Sequence, residues 1–118
     1  MNNLENEIFA LLNKIGVPHH LAGRKYIEKA LILYWGYDFT AKEVYCDVAK
    51  EYHTTPTRVE RSIRHAVAVT FNRLNNSFLT ELFGNTTDGH TGKVTNLAFL
   101  RCLTQYLELQ QGAYNNDR

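Results

Sequence analysis

Cysteine and proline are scarce in this 118-residue sequence, with two of each. Cys46 and Cys102 are too few for a disulfide scaffold, so a reduced, cytoplasmic setting is expected. Long apolar runs are absent too. None approaches the roughly 18 residues of a membrane span, and no membrane partner is expected. The first residues, Met1 to Glu7, have neither the basic start nor the apolar stretch of a secretory signal. What remains is 44% hydrophobic and 21% charged, the composition of an ordinary packed globule. The length suits one core and not two. A single domain over 1–118 is expected, with its core in 8–109 and a flexible polar tail over 110–118.

The sequence also has little net charge, +1 in total, but that charge is unevenly spread. Between His53 and Arg73 stand Arg58, Arg61, Arg64 and Arg73 against the single acid Glu60, a local charge of +3. The rest of the chain therefore carries −2. A basic helix on a balanced protein implies a directed patch and not a generally sticky surface.

Apolar spacing predicts helices throughout and no strand survives. Leu4, Ile8, Leu11, Leu12 and Ile15 recur at helical intervals until Gly16 and Pro18 stop them. A second helix is expected from about His20 to Trp35, with Ile27, Ala30, Leu31 and Tyr34 inward. Thr40 and Glu43 form a capping box for a third, which carries Val44, Val48, Ala49 and Tyr52. After the turn His53 to Pro56 comes a fourth helix, running to about Leu74. Two caps compete for its start: Thr55 with Pro56 at the first position, or Thr57 with Glu60 as its box partner. A short helix over about Phe78 to Phe83 is closed by Gly84. Residues 85–94 read as an exposed loop. Thr95 or Asn96 then caps a last helix bearing Phe99, Leu100, Leu103 and Leu107. The fold expected is all-α, about six helices.

On a helical wheel centred on Val59, the residues Ile63, Ala66, Val67, Thr70 and Leu74 fall between ~340° and ~80° and make one apolar stripe. Arg64, Thr57, Arg61, His65 and Arg58 fall between ~140° and ~260°, nearly opposite, with Glu60 at ~100° on the edge. A short helix, a turn and then a basic helix is the order of a helix-turn-helix, whose second helix enters a DNA major groove. Arginine near that helix start can bind guanine O6 and N7, and glutamate can accept from cytosine N4. Arg58, Glu60 and Arg61 are the candidates for base contact. Thr54, Thr55, Thr57, Arg64 and His65 are the candidates for phosphate contact. Three arginines on a face are more often a plain solvated surface, protein docking is a lesser alternative, and the wheel alone leaves all three readings open.

The run from Ala49 to Ala66, with the core pattern TxxRVERxIRHA in Thr55, Arg58 to Arg61 and Ile63 to Ala66, resembles the recognition region of the stage-zero sporulation protein A effector-domain family. Flanking segments agree. Gly16 to Gly23 is similar to the family's GVPAHIKG, Tyr26 to Ala30 to its YLREA, Leu82 to Gly84 to its LFG, and Lys93 to Asn96 to its KPTN. The likeness covers roughly residues 8–109. It implies a winged-helix-like effector domain without strands, a six-helix bundle with an embedded helix-turn-helix. It also implies transcription regulation by binding double-stranded DNA at TGTCGAA-like boxes, as a homodimer on tandem sites. The resemblance places Arg58, Glu60 and Arg61 at the bases and Thr55, Thr57, Arg64 and His65 at or near the phosphates. It places the promoter-activating surface, which meets an RNA polymerase sigma factor, at about Asn75 to Phe83. Two departures stand out: Val94 replaces the family's proline, and Asn75 to Glu81 diverges. The family's response regulators also carry a receiver domain that nothing here resembles, so the sequence reads as a fragment or as a stand-alone homologue.

Other chemistry is poorly supplied. His19, His20 and His53 lack cysteine or carboxylate companions at ligand spacing, so no metal and no cofactor is expected. No nucleophile and base arrangement is recognisable, the loop from Gly84 to Gly92 has no phosphate-binding signature, and no enzyme is expected. The reading from another class is a protein-interaction module acting on a full-length regulator or on RNA polymerase. Retention of Arg58, Glu60, Arg61 and Arg64 favours DNA.

Overall fold

The computed structural model describes residues 3–72, 77–84 and 94–116. They form α1 (Asn3–Ile15), α2 (Ala22–Tyr34), α3 (Ala41–Glu51), α4 (Pro56–Asn72), α5 (Ser77–Phe83) and α6 (Asn96–Asn116). No strand occurs among the described residues, and the all-α expectation of six helices holds.

Local chemistry sets most of the boundaries. At α3 the Thr40 hydroxyl accepts from the Glu43 N–H, and the Glu43 carboxylate accepts from the Thr40 N–H, closing the predicted box. Gly16 ends α1 with φ +90°, a conformation that costs a side chain dearly. Thr95 is the cap of α6, its hydroxyl accepting from the Ala98 N–H at 3.1 Å. Helix α2 begins at Ala22 and not near His20; Leu21 precedes it without a side-chain cap.

Residues 110–116, expected to be flexible, continue α6 as helix. The Gln111 amide donates to the Glu7 carboxylate of α1, so a tertiary contact supports the last turns of a helix whose Leu107 to Gln111 already favour it. Of the divergent stretch from Asn75 to Glu81, residues 75 and 76 lie outside the described part, as do Arg73, Leu74 and 85–93 of the expected loop. Val94, assigned to that exposed loop, is buried.

Helix α4 packs on α2, α3 and α6, α2 also meets α1, α3 and α6, and α1 and α5 complete the bundle. The core draws Ile8 and Leu12 from α1, Ile27 and Leu31 from α2, Val44 and Val48 from α3, and Val59 and Ile63 from α4. Phe71, Phe83 and Phe99 knit the far end of α4 to α5 and α6; Phe83 and Phe99 are stacked with centroids 5.3 Å apart. Arg24 is a buried cation the sequence did not announce. Its guanidinium donates to the carbonyls of Val17 (2.7 Å) and Phe9 (3.3 Å), tying α2 to the end of α1. Burial lowers its pKa, against the opposing pull of Glu28.

Gly23 stands at a close approach of α2 to α4. A Cβ built there would lie 2.2 Å from the backbone oxygen of Ser62 and 2.7 Å from the Ala66 Cβ. Only glycine lets α2 seat this tightly on α4.

Candidate nucleic-acid interface

Helices α3 and α4 are joined by a four-residue turn whose geometry follows from its hydrogen bonds. The Tyr52 N–H donates back to Val48, that of His53 to Lys50, and that of Thr54 to Ala49 at 3.0 Å. This pattern closes a helix when the residue after its cap is left-handed, and His53 has φ +52°. Ala49 is buried where α3 turns toward α4. The chain then extends through Thr55, which resolves the two competing starts of α4. The Arg58 N–H donates to the Thr55 hydroxyl at 3.2 Å and the Val59 N–H to the Thr55 carbonyl at 3.1 Å. Pro56 occupies the first helical position, where a missing N–H is harmless. Thr57 is therefore inside the helix, exposed on its first turn, and is not the cap.

The wheel is realised. Val59, Ile63, Ala66, Val67 and Thr70 are buried, and Thr70 satisfies its hydroxyl on the Ala66 carbonyl at 2.7 Å. Thr55, Thr57, Arg58, Arg61, Arg64 and His65 are all exposed, while Thr54 and Glu60 are half-buried. The basic face and the buried face of α4 therefore point in opposite directions, as a groove-reading helix needs.

Glu60 is not a free acid. Its carboxylate pairs with Arg64 at 3.1 Å one turn along the helix. Its backbone carbonyl accepts from the buried side chain of Asn96 at 3.1 Å, and the same Asn96 nitrogen donates to the Tyr45 hydroxyl at 3.1 Å. Burial raises the pKa of Tyr45. Sequence reasoning offered Asn96 only as a helix cap and missed Tyr45, because nothing local links positions 45, 60 and 96. It also missed Lys25, whose ammonium lies 5.1 Å from the ring centroid of Tyr52 beside the turn. That placement depends on the α2–α4 approach at Gly23, which no helical wheel contains.

The remaining candidates do not assemble into a second centre. Among the described residues no three His, Cys, Asp or Glu side chains gather as metal ligands. The His19 ring packs against Phe9 with centroids 5.4 Å apart. Cys46 and Cys102 are not joined in a disulfide, and the Cys102 thiol donates to the Leu82 carbonyl at 3.4 Å. No described helix is long and apolar enough to cross a membrane. The family described as sporulation initiation factor Spo0A C terminal matches residues 8–107.

Proposed function

The chain belongs to the Spo0A C-terminal family, whose domains are DNA-binding transcription regulators, and from that premise we propose that it reads TGTCGAA-like boxes through α4. The observation that carries this reading is the exposed arginine face of α4, opposed to its buried stripe and aimed by the His53–Thr55 turn. Arg58 and Arg61 act as bidentate donors to guanine, and Glu60 accepts from cytosine N4 after leaving Arg64. Thr54, Thr55, Thr57, Arg64 and His65 hold the phosphates. The Thr55 hydroxyl accepts from the helix, which leaves its own hydrogen for a phosphate oxygen. The domain works in the cytoplasm, on the nucleoid, as a homodimer on tandem boxes. The face around α5 meets an RNA polymerase sigma factor.

The test is titration of the protein onto a duplex carrying two tandem TGTCGAA-like boxes, beside a scrambled duplex, at two salt concentrations. A preference of about a hundredfold or more for the boxes, with a steep salt slope, supports the reading. Equal affinity for both duplexes overturns it and turns attention to protein partners.

A further inference from the structure

We propose that Asn96 is a positioning residue for base readout: its side-chain amide fixes the rotational setting of α4 by clamping the Glu60 carbonyl to Tyr45 of α3. The inference rests on the DNA-reading function proposed above and assigns a role to residues outside the exposed face.

Asn96 is 9% exposed, at the first position of α6. Its Nδ2 donates to the Glu60 carbonyl and to the Tyr45 hydroxyl, both at 3.1 Å. A carbonyl oxygen can only accept, which determines the end of the amide that faces it. Three helices therefore meet at one nitrogen: the two of the helix-turn-helix and the last helix of the fold. The bond falls at residue 60, between Arg58 and Arg61 and within their turns of helix.

Apolar packing does not supply what this bond supplies. Burial of Val59, Ile63 and Val67 holds α4 against the core but is non-directional, and it tolerates small rotations about the helix axis. Bidentate contacts do not. At a side-chain radius of about 6 Å, a rotation of about 10° moves a head group by about 1 Å. That exceeds the whole tolerance of a hydrogen bond, whose donor and acceptor sit within about 2.7–3.2 Å. A directional tether at Glu60, on the edge between the buried and the exposed faces of α4, converts a packed helix into an aimed one. Phosphate contacts made by flexible side chains need no such accuracy.

Asn96→Ala and Tyr45→Phe both leave the charge unchanged, so the general attraction to DNA is preserved. Affinity for the tandem-box and scrambled duplexes is measured for wild type and both variants, with a melting temperature for each. The expected result for Asn96→Ala is a drop of about tenfold or more in the preference for the boxes, with scrambled affinity within about twofold of wild type. Tyr45→Phe, which removes one of the two acceptors, is expected to give a smaller loss of the same kind. A preference unchanged in both variants overturns the inference. Equal losses on both duplexes that track a lowered melting temperature also overturn it, since a merely structural role predicts that. Should Asn96→Ala fail to fold, Tyr45→Phe decides alone, and an unchanged preference there is fatal. A wild-type protein without preference brings down the function and this inference together; a preference that the variants keep brings down this inference only.

Discussion

His53 holds the left-handed conformation that ends α3, a region where an L side chain costs about 1–2 kcal/mol. Glycine removes that strain and gives part of it back as unfolded-state entropy. His53→Gly is expected to stabilise the domain by about 0.5–1 kcal/mol, read as a higher urea midpoint at unchanged slope. Two residues on, Thr55→Ala removes the cap of α4 and is expected to cost about 1 kcal/mol in the same assay. The base and phosphate roles proposed for the arginines are separable by measurement. Arg61→Ala should lose about 1–3 kcal/mol on the cognate box and relax preference at one base pair. Arg64→Ala should weaken all sequences alike and flatten the salt slope by about one phosphate contact. Equal losses on box and scrambled duplexes for both variants would sink that division. At this scale the exposed candidates were legible, because wheel angle alone separates Arg58, Arg61 and His65 from Val59 and Ile63. The state of Glu60 was not: its pairing with Arg64 and the clamp on its carbonyl depend on rotamers and on a residue 36 positions away.

Among the elements, the crossing of α2 over α4 is the most demanding contact. Gly23→Ala would press a methyl into the Ser62 carbonyl, and the backbone must separate to admit it. The expected cost is about 1–3 kcal/mol or more, with weaker DNA binding because the flank carrying Arg58 and His65 is displaced. Thermal melting and the box titration together check this. Strong local signals made most helices readable. The Thr40–Glu43 box is complete in sequence, and Gly16 marks a stop. The start of α4 was ambiguous because Thr55 and Thr57 each have plausible partners. Pro56 decides it, fitting the first helical position without needing a donor. The length of α6 was hidden for another reason. Its last turns gain support from Glu7 across the bundle, and a long-range contact leaves no trace in local composition.

For the molecule as a whole, burial opposes the ionisation of its phenols in a way that titration can follow. Tyr45 and Tyr52 have raised pKa values, chiefly through burial, and Tyr34 is raised by burial and by its hydrogen bond to Asp47. A folded-state pKa above the unfolded value of about 10 favours the protonated native form. The stability these phenols contribute is thus complete below about pH 10 and lost as pH climbs through and beyond it. Urea unfolding between about pH 8.5 and 11 should show that decline, and Tyr45→Phe should make it shallower. The contact at Gly23 has a consequence of another kind, for the paths by which such a chain can change over generations. Glycine has no smaller neighbour among the amino acids, so any replacement installs at least a Cβ. The obstacle is the carbonyl of Ser62, which every residue at 62 would share. No second-site exchange of side chain at that position can relieve it. This corner of the fold is closed to stepwise drift, and lineages that keep this seating of α2 on α4 must keep that glycine.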